Sequence, residues 1–461
     1  MKQLTLKQLA QWCGGTVYPE GADPVVNGMQ HDSRGIHPGN LFVAIAGERV
    51  DGHSFVQKAR EAGAAAALVS RKVDDELPQI LVEDTLMAYG AIAREYRMET
   101  GIPVVAITGS VGKTTTKEMI ACVLSGKYRV TKTQGNHNNN LGLPITIMEM
   151  AEDAELAVLE LGMNHFGEMS YLTSIARPNM VVITNIGTMH IEHLGTREGI
   201  LKAKLEIMEG IQADGVAVFN GDEPLLWNLR EGEHRRIYFG IENDQCDVIA
   251  EDIRQMDGGM YFTIRGLGQK FQIYVPQEGR HSVYNALAAA TIGMLQHVTP
   301  ETIQYQLGLF HNTGMRQRIT EECGFTIIED CYNAGPESME AALRVLEERQ
   351  CSGQRIAVLG DMLELGSRAT AEHYRVGRLA AAAADMVLAY GEHSVRVITG
   401  AITGGMSTKR AMHFEDQSAM AETLHTMAKP GDVILFKGSR GMKMERVMKE
   451  FLEKSKNSRE K

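Results

Sequence analysis

In the stretch VVAITGSVGKTTTKEM, which begins at Val104, the residues Gly109, Ser110, Val111, Gly112, Lys113, Thr114 and Thr115 follow an apolar run and precede a helical one. Their types and order suit phosphate. Backbone N–H groups of a glycine-rich turn feeding a helix N-terminus make an anion site. Lys113 would meet the β- and γ-phosphates of a nucleotide, and the Thr114 hydroxyl would ligate Mg²⁺. The loop is nevertheless short. A full phosphate-binding loop reads G-x-x-x-x-G-K-[ST], and five residues before Gly112 this chain has Ile107. A plain strand, glycine turn and helix is the bland alternative. Taken as a nucleotide site, the loop fits a switch or motor ATPase, a kinase, or an enzyme that uses ATP to make a bond.

Three more residues stand where chemistry could use them. Glu160 closes the apolar run AELAVLE. It reads as a carboxylate at the carboxyl end of a parallel strand, either holding the nucleotide's magnesium or simply solvated. His190 follows the strand-like MVVITNIG in the same way, although an isolated histidine is more often structural. Lys204 is the unexpected one. If 196–210 is a helix, Ile200, Leu201, Lys204, Ile207, Met208 and Ile211 fall on one stripe at i, i+3, i+4 spacing, while Lys202 points away. A lysine there either snorkels its head to water or is desolvated into a neutral amine. A neutral amine can take up CO₂ and become a carbamate, which then acts as a carboxylate.

Such residues need a scaffold. At 461 residues the chain exceeds one core, and about 150 residues per domain suggests three. Residues 1–84 mix short strands and helices, and AYGAIAREYRMETGIP reads as a linking helix ended by Gly101 and Pro103. In a central domain, 85–313, the runs VVAIT, LAVLEL, MVVITNI and GVAVFN alternate with helices, which implies a mostly parallel sheet. Within it, 246–275 resembles a β-meander, and an alanine-rich helix follows from Ser282. Beyond a boundary at FHNTGMRQR, the runs FTIIED, RIAVLGDM, DMVLAYG and DVILFKG mark a third, dinucleotide-fold-like α/β domain, 314–461, with a charged tail expected to fray.

Composition narrows the classes. Hydrophobic content of 44% and charged content of 23% are those of a globular enzyme. A net charge of −11 offers no basic surface to nucleic acid or a membrane. No run reaches the about 18 apolar residues of a membrane span. The start MKQLTLKQLAQWCGG lacks the uninterrupted core of a secretory signal. Six scattered cysteines with no C-x-x-C suit reduced thiols and a cytoplasmic protein.

Together these residues resemble the Mur ligase family, the ATP-dependent amide-forming enzymes of peptidoglycan synthesis. The shortened loop TGSVGKTTT is the form that family uses. HDSRGIHPGNLFVAIAGERVDGHSF, TQGNHNNNLGLP, ELGMNHFGEM, NIGTMHIEHLG, EDCYNAGPESM, GDMLELG and KGSRGMKME extend the likeness over nearly the whole chain. The resemblance implies a small α/β N-terminal domain for a UDP-sugar, a central P-loop-type parallel-sheet ATPase domain, and a C-terminal Rossmann-like α/β domain. It implies ATP on Gly109, Ser110, Val111, Gly112, Lys113, Thr114 and Thr115, with Asn285 at the adenine. Arg316 and Asp330 would approach the nucleotide as the domains close. Thr114 and Glu160 would share one Mg²⁺, and His190 with a carbamate on Lys204 would serve a second. Lys113, His190 and Lys204 would carry the chemistry. Ser33 and Arg34 would contact the UDP-sugar, and Asn138 and Asn139 would line the substrate channel. Two positions depart from the family pattern: Ser282, where asparagine commonly follows the histidine, and Gly335, where NANP is usual.

The activity implied is transfer of the ATP γ-phosphoryl group to the terminal carboxylate of UDP-MurNAc-tripeptide. The amine of D-Ala-D-Ala then attacks the acyl phosphate, giving the pentapeptide, ADP and phosphate. Two anions must meet in that first step, so cations must offset their repulsion. The acyl phosphate hydrolyses readily, so the site should close before chemistry. We expect a monomer that binds neither nucleic acid nor a membrane. Three rivals stand beside this reading. One is another ligase of the superfamily, adding a single amino acid to a muramyl peptide or glutamate to folate. Another is a P-loop switch ATPase, which would turn over ATP without a carboxylate substrate. The third is a non-catalytic nucleotide-binding regulator.

Overall fold

Val104–Thr108 is buried along its whole length and leads through the glycine loop into the helix Lys113–Ser125. The computed structural model describes residues 1–47, 50–256, 258–312 and 314–459. Glu48 and Arg49 of the N-terminal motif, and Thr313 at the expected domain boundary, lie outside the described residues.

The loop strand sits inside a nine-stranded sheet. Its spatial order is Gln269–Val275, Gly259–Gly266, Val248–Met256, Arg235–Gly240, Val216–Asn220, Met180–Ile183, Val104–Thr108, Leu156–Glu160, Val130–Lys132. The run from Val130–Lys132 to Val248–Met256 is parallel, and the remaining pairings are antiparallel. The expected meander therefore extends the main sheet instead of standing apart from it. Strand order reverses on the two sides of Val104–Thr108, so the ends of Leu156–Glu160 and Met180–Ile183 open beside the loop. Such a switch point is where open parallel sheets bind ligands. The sheet is covered on both faces, by Lys113–Ser125 and Arg280–Leu295 on one and by other helices opposite. Each fully buried aliphatic side chain there contributes about 1.5–3 kcal/mol relative to exposure.

Two elements depart from the sequence expectations here. Arg235–Gly240 is a strand that its arginine-led start concealed, because Arg235 is exposed and Arg236 half-buried while the four residues after them are buried. Residues 196–210 form an α-helix, Arg197–Leu205, and then a tighter 3₁₀ turn, Glu206–Gly210. The tightening brings Gly210 so close to the Thr173 backbone that a Cβ there would lie 2.3 Å from its carbonyl oxygen.

The N-terminal region carries a five-stranded sheet in the order Thr16–Tyr18, Gln79–Leu81, Ala66–Val69, Asn40–Val43, Gly28–Gln30. The helix Thr85–Thr100 starts at an Asp84 side chain that accepts the N–H groups of Leu86 and Met87, and stops at Gly101, φ 66. Its apolar side joins one core cluster with residues of both neighbouring sheets. Buried Arg97 donates to the carbonyls of Ala176 and Arg177 at 2.8 and 3.0 Å, capping a helix end of the central sheet.

The C-terminal sheet has six strands in the order Arg318–Glu322, Phe325–Asp330, Val433–Lys437, Arg355–Gly360, Met386–Tyr390, Ala411–Phe414. All pairs are parallel except the first, a hairpin turned at Cys323 and Gly324 with φ 49 and 68. Helices cover both faces, as a Rossmann-like layer requires. The charged tail does not fray within the described residues, because the helix Glu445–Arg459 carries it.

Candidate active site

The short loop is braced from outside itself. Asn185, just beyond the strand Met180–Ile183, accepts the N–H groups of Ser110 and Val111 on its Oδ1 at 3.1 and 2.9 Å. Its Nδ2 donates to the Val111 carbonyl at 3.2 Å, and Thr184 Oγ1 donates to the same carbonyl at 2.7 Å. Ser110 Oγ accepts the Gly187 N–H at 2.9 Å. Only glycine fits at Gly109, where a Cβ would lie 1.9 Å from Thr184 Oγ1. Gly112, φ 85, starts the helix against Asn285.

At the helix start, the Thr114 hydroxyl donates to Glu160 Oε2 at 2.8 Å, and Asn138 Nδ2 donates to Glu160 Oε1 at 2.9 Å. Behind them Lys117, fully buried, donates to the Thr133 carbonyl at 2.7 Å and stands 3.9 Å from Glu160 Oε2. Paired hydroxyl and carboxylate oxygens are the donors a hard divalent cation takes, so Thr114 and Glu160 fit the expected magnesium. Asn139 accepts the N–H groups of Leu141 and Gly142 at 3.3 and 2.8 Å and shapes the turn beside the site.

Three nitrogen bases gather next to this pair. Lys113 Nζ donates to the Gly109 carbonyl at 2.8 Å. Burial pushes its ammonium below the ordinary value, Glu160 opposes that, and Arg316 reinforces it. Lys204 is 2% exposed, and among the described residues no acceptor reaches its amine. Burial drives its pKa well down, with Lys113 adding to the effect. The snorkelling alternative is thereby removed, and Lys202 is the exposed lysine of that helix. His190 lies within electrostatic reach of both lysines, and burial lowers its pKa against the pull of a carboxylate, Glu364. A desolvated amine without an acceptor, within electrostatic reach of Lys113, suits the expected carbamate, since Lys113 disfavours a positive charge there and would favour a negative one.

The loop opens into a cleft of about 820 Å³. One wall holds residues 110–115, Asn138, Asn139, Glu160, His190 and Asn285; the other holds Arg316, Asp330, Tyr332 and Lys437. Arg316 stacks 3.6 Å above the Tyr332 ring. Asp330 accepts from Lys437 Nζ at 2.6 Å and from the Gln317 N–H at 3.2 Å. Gln317 also reaches across to His281 at 2.6 Å. Asn285 Oδ1 accepts the Thr116 hydroxyl at 3.0 Å, and among the described residues its Nδ2 meets no acceptor, so that donor faces the cleft.

Ser33 and Arg34 do not line this cleft. Arg34 is exposed and pairs with Asp32 at 2.6 Å on a short 3₁₀ turn. The adjacent His31 senses His137 and Glu149 electrostatically, which sets the turn toward the segment bearing Asn138. Sequence reasoning missed Asn185, Lys117 and Glu364. Asn185 lies just past the strand Met180–Ile183, at the same end of the sheet where Glu160 closes its own strand, and that position was the available signal.

Comparison with known proteins agrees with this geometry. Residues 25–112 match the Mur ligase family catalytic domain, 107–293 the Mur ligase middle domain, and 315–440 the Mur ligase glutamate ligase domain. The chain belongs to the Mur ligase family. It is 41% identical, over 98% of its length and 99% of the relative's, to UDP-N-acetylmuramoyl-tripeptide–D-alanyl-D-alanine ligase of Bacillus subtilis (strain 168). With the ligase of the same name from Escherichia coli (strain K12) the identity is 37%, over 97% of this chain and 98% of that one. A crystal structure of MurF from Acinetobacter baumannii superposes with a TM-score of 0.91 at 32% identity, covering 98% of this chain and 99% of that one. MurF ligase from Thermotoga maritima in complex with ADP gives 0.85 at 30% identity, covering 94% and 99%.

Proposed function

We propose that this protein is an ATP-dependent ligase joining D-Ala-D-Ala to UDP-MurNAc-tripeptide through an acyl phosphate, and so makes UDP-MurNAc-pentapeptide for peptidoglycan. The observation that carries the reading is the pairing of Thr114 with Glu160 beside Lys113 and His190 in a cleft walled by two sheets, with Lys204 buried within electrostatic reach of Lys113. Full-length identity to ligases of that name supports the choice of substrates.

The loop amides and Lys113 hold the β- and γ-phosphates, while Asn285 offers its amide to the base. Thr114 and Glu160 would hold one Mg²⁺, and His190 with carbamylated Lys204 a second. Bound there, the ions would neutralise the meeting of carboxylate and γ-phosphate. Lys204 reacts as its neutral amine: Lys–NH₂ and CO₂ give Lys–NH–COO⁻ and a proton. Arg316, stacked on Tyr332, brings a further cation from the opposite wall, which also excludes water from the acyl phosphate. In this reading 1–84 receives the UDP-sugar by way of Ser33 and Arg34, 85–313 binds ATP, and 314–461 completes the ATP site and receives the dipeptide. The protein acts in the cytoplasm as a monomer. Six cysteines without a disulfide among them are in keeping with a reducing compartment.

Phosphate release from Mg-ATP tests the proposal. Release should require both UDP-MurNAc-tripeptide and D-Ala-D-Ala, with a pentapeptide seen by mass. Release with neither present and no new product would replace this reading with a switch ATPase. Lys204→Ala should lose at least the 10–100-fold in kcat typical of lost ligand support, and short carboxylates added to the assay should restore part of it.

A further inference from the structure

His190 stands at φ 63, and so does Glu364. Non-glycine residues adopt that conformation rarely, and they hold it where the surrounding structure over-determines it. The two meet. His190 Nδ1 lies 2.7 Å from Glu364 Oε2, although one follows a strand of the central sheet and the other a strand of the C-terminal sheet.

The Glu364 loop is fixed from beneath. Asp361 Oδ2 accepts the His393 N–H at 3.0 Å, and Met362 N–H donates to His373 Nε2 at 3.0 Å. Leu363 N–H donates to Ser439 Oγ at 2.9 Å, and Ser439 N–H donates to the Asp361 carbonyl at 3.1 Å. The position of the Glu364 carboxylate therefore follows the position of the whole C-terminal sheet.

An ionised carboxylate only accepts, so Nδ1 is the protonated nitrogen of His190. In the neutral ring Nε2 then keeps its lone pair. A histidine that donates one ring N–H to a carboxylate has its tautomer and orientation fixed, and its other nitrogen becomes a better ligand. We propose that Glu364 is a positioning residue supplied by the C-terminal domain, which sets His190 as the Nδ1–H tautomer only when that domain is docked. The proposal rests on the ligase reading above, in which His190 serves a metal. It makes docking of the C-terminal domain a condition for a competent histidine. A second carboxylate, Glu337, accepts from Thr188 Oγ1 at 2.9 and 3.2 Å, and so holds the same segment without touching the ring.

Full-length protein labelled with ¹⁵N-histidine, free of nucleotide and metal, reports the tautomer directly, with His190→Gln assigning the signal. Wild-type protein should show Nδ1 protonated and Nε2 bare. Glu364→Ala should lose that pattern, whereas Glu364→Gln, which keeps an acceptor, and Glu337→Ala should retain it. In turnover, Glu364→Ala should lower kcat by about 10–100-fold, with KM for ATP moving less than about 2-fold and Glu364→Gln recovering most of the loss. An unchanged His190 tautomer in Glu364→Ala, or a wild-type kcat in that variant, overturns the proposal. The tautomer is read without substrates, so a wild-type protein that made no pentapeptide would sink the ligase reading alone.

Discussion

Asn185 supplies, from a neighbouring strand end, the bracing that a longer loop would provide itself. It satisfies two loop amides and one loop carbonyl at once. Asn185→Ala should therefore loosen the phosphate cradle and raise KM for ATP by about 5- to 150-fold, as about 1–3 kcal/mol of unmade hydrogen bonding would. An unchanged KM would show that the loop keeps its shape alone. The loop itself, Glu160 and Lys204 were legible in the sequence because each rests on local spacing or helical period. Asn185, Lys117 and Glu364 were not. Lys117 looks like any polar residue of a helix until the sheet closes over it, and the meeting of Glu364 with His190 is purely tertiary.

The helix Lys113–Ser125 carries more than the loop. On it, burial pushes the Glu118 carboxyl up, but the Lys132 ammonium hydrogen-bonded to it, with Lys117 alongside, outweighs burial and holds it below its ordinary value. A carboxylate with a depressed folded pKa contributes stability above its unfolded value of about 4.3, and loses it as pH falls through the lower folded value. Glu118→Gln should thus lower the unfolding midpoint at pH 7, and the gap from wild type should narrow on acidification below about 4. A gap constant with pH would mean that packing, not charge, sets the contribution. Buried β-branched strands such as Val104–Thr108 announce themselves in sequence. Arg235–Gly240 and the edge strand Arg318–Glu322 do not, because paired arginines open the first and charged side chains occupy both ends of the second, which has no fully buried residue.

Across the molecule, the central and C-terminal sheets are tied by a pair away from the cleft, Glu278 with Arg349. Glu278 is 4% exposed and its Oε2 meets no partner among the described residues. Removing Arg349 would strand that carboxylate, so Arg349→Leu should destabilise by about 3–5 kcal/mol, while Glu278→Leu with Arg349→Leu recovers much of the loss. Thermal unfolding of both variants checks this, and equal midpoints for the two would count against a buried-charge effect. Three α/β layers were legible from alternating runs. Their mutual seating was not, since it depends on single contacts such as His281 with Gln317. The C-terminal sheet also has an order of assembly built into it. Its last strand in the chain, Val433–Lys437, inserts between Phe325–Asp330 and Arg355–Gly360, so the sheet's middle is the last part to be synthesised. A nascent chain still short of it presents two unpaired interior strand edges, the surfaces on which misassembly starts. Only when Lys437 arrives at Asp330 is the far wall of the cleft complete. A chain that stops before Val433 therefore keeps its phosphate loop but lacks Lys437 of the facing wall, and leaves the edges of Phe325–Asp330 and Arg355–Gly360 open.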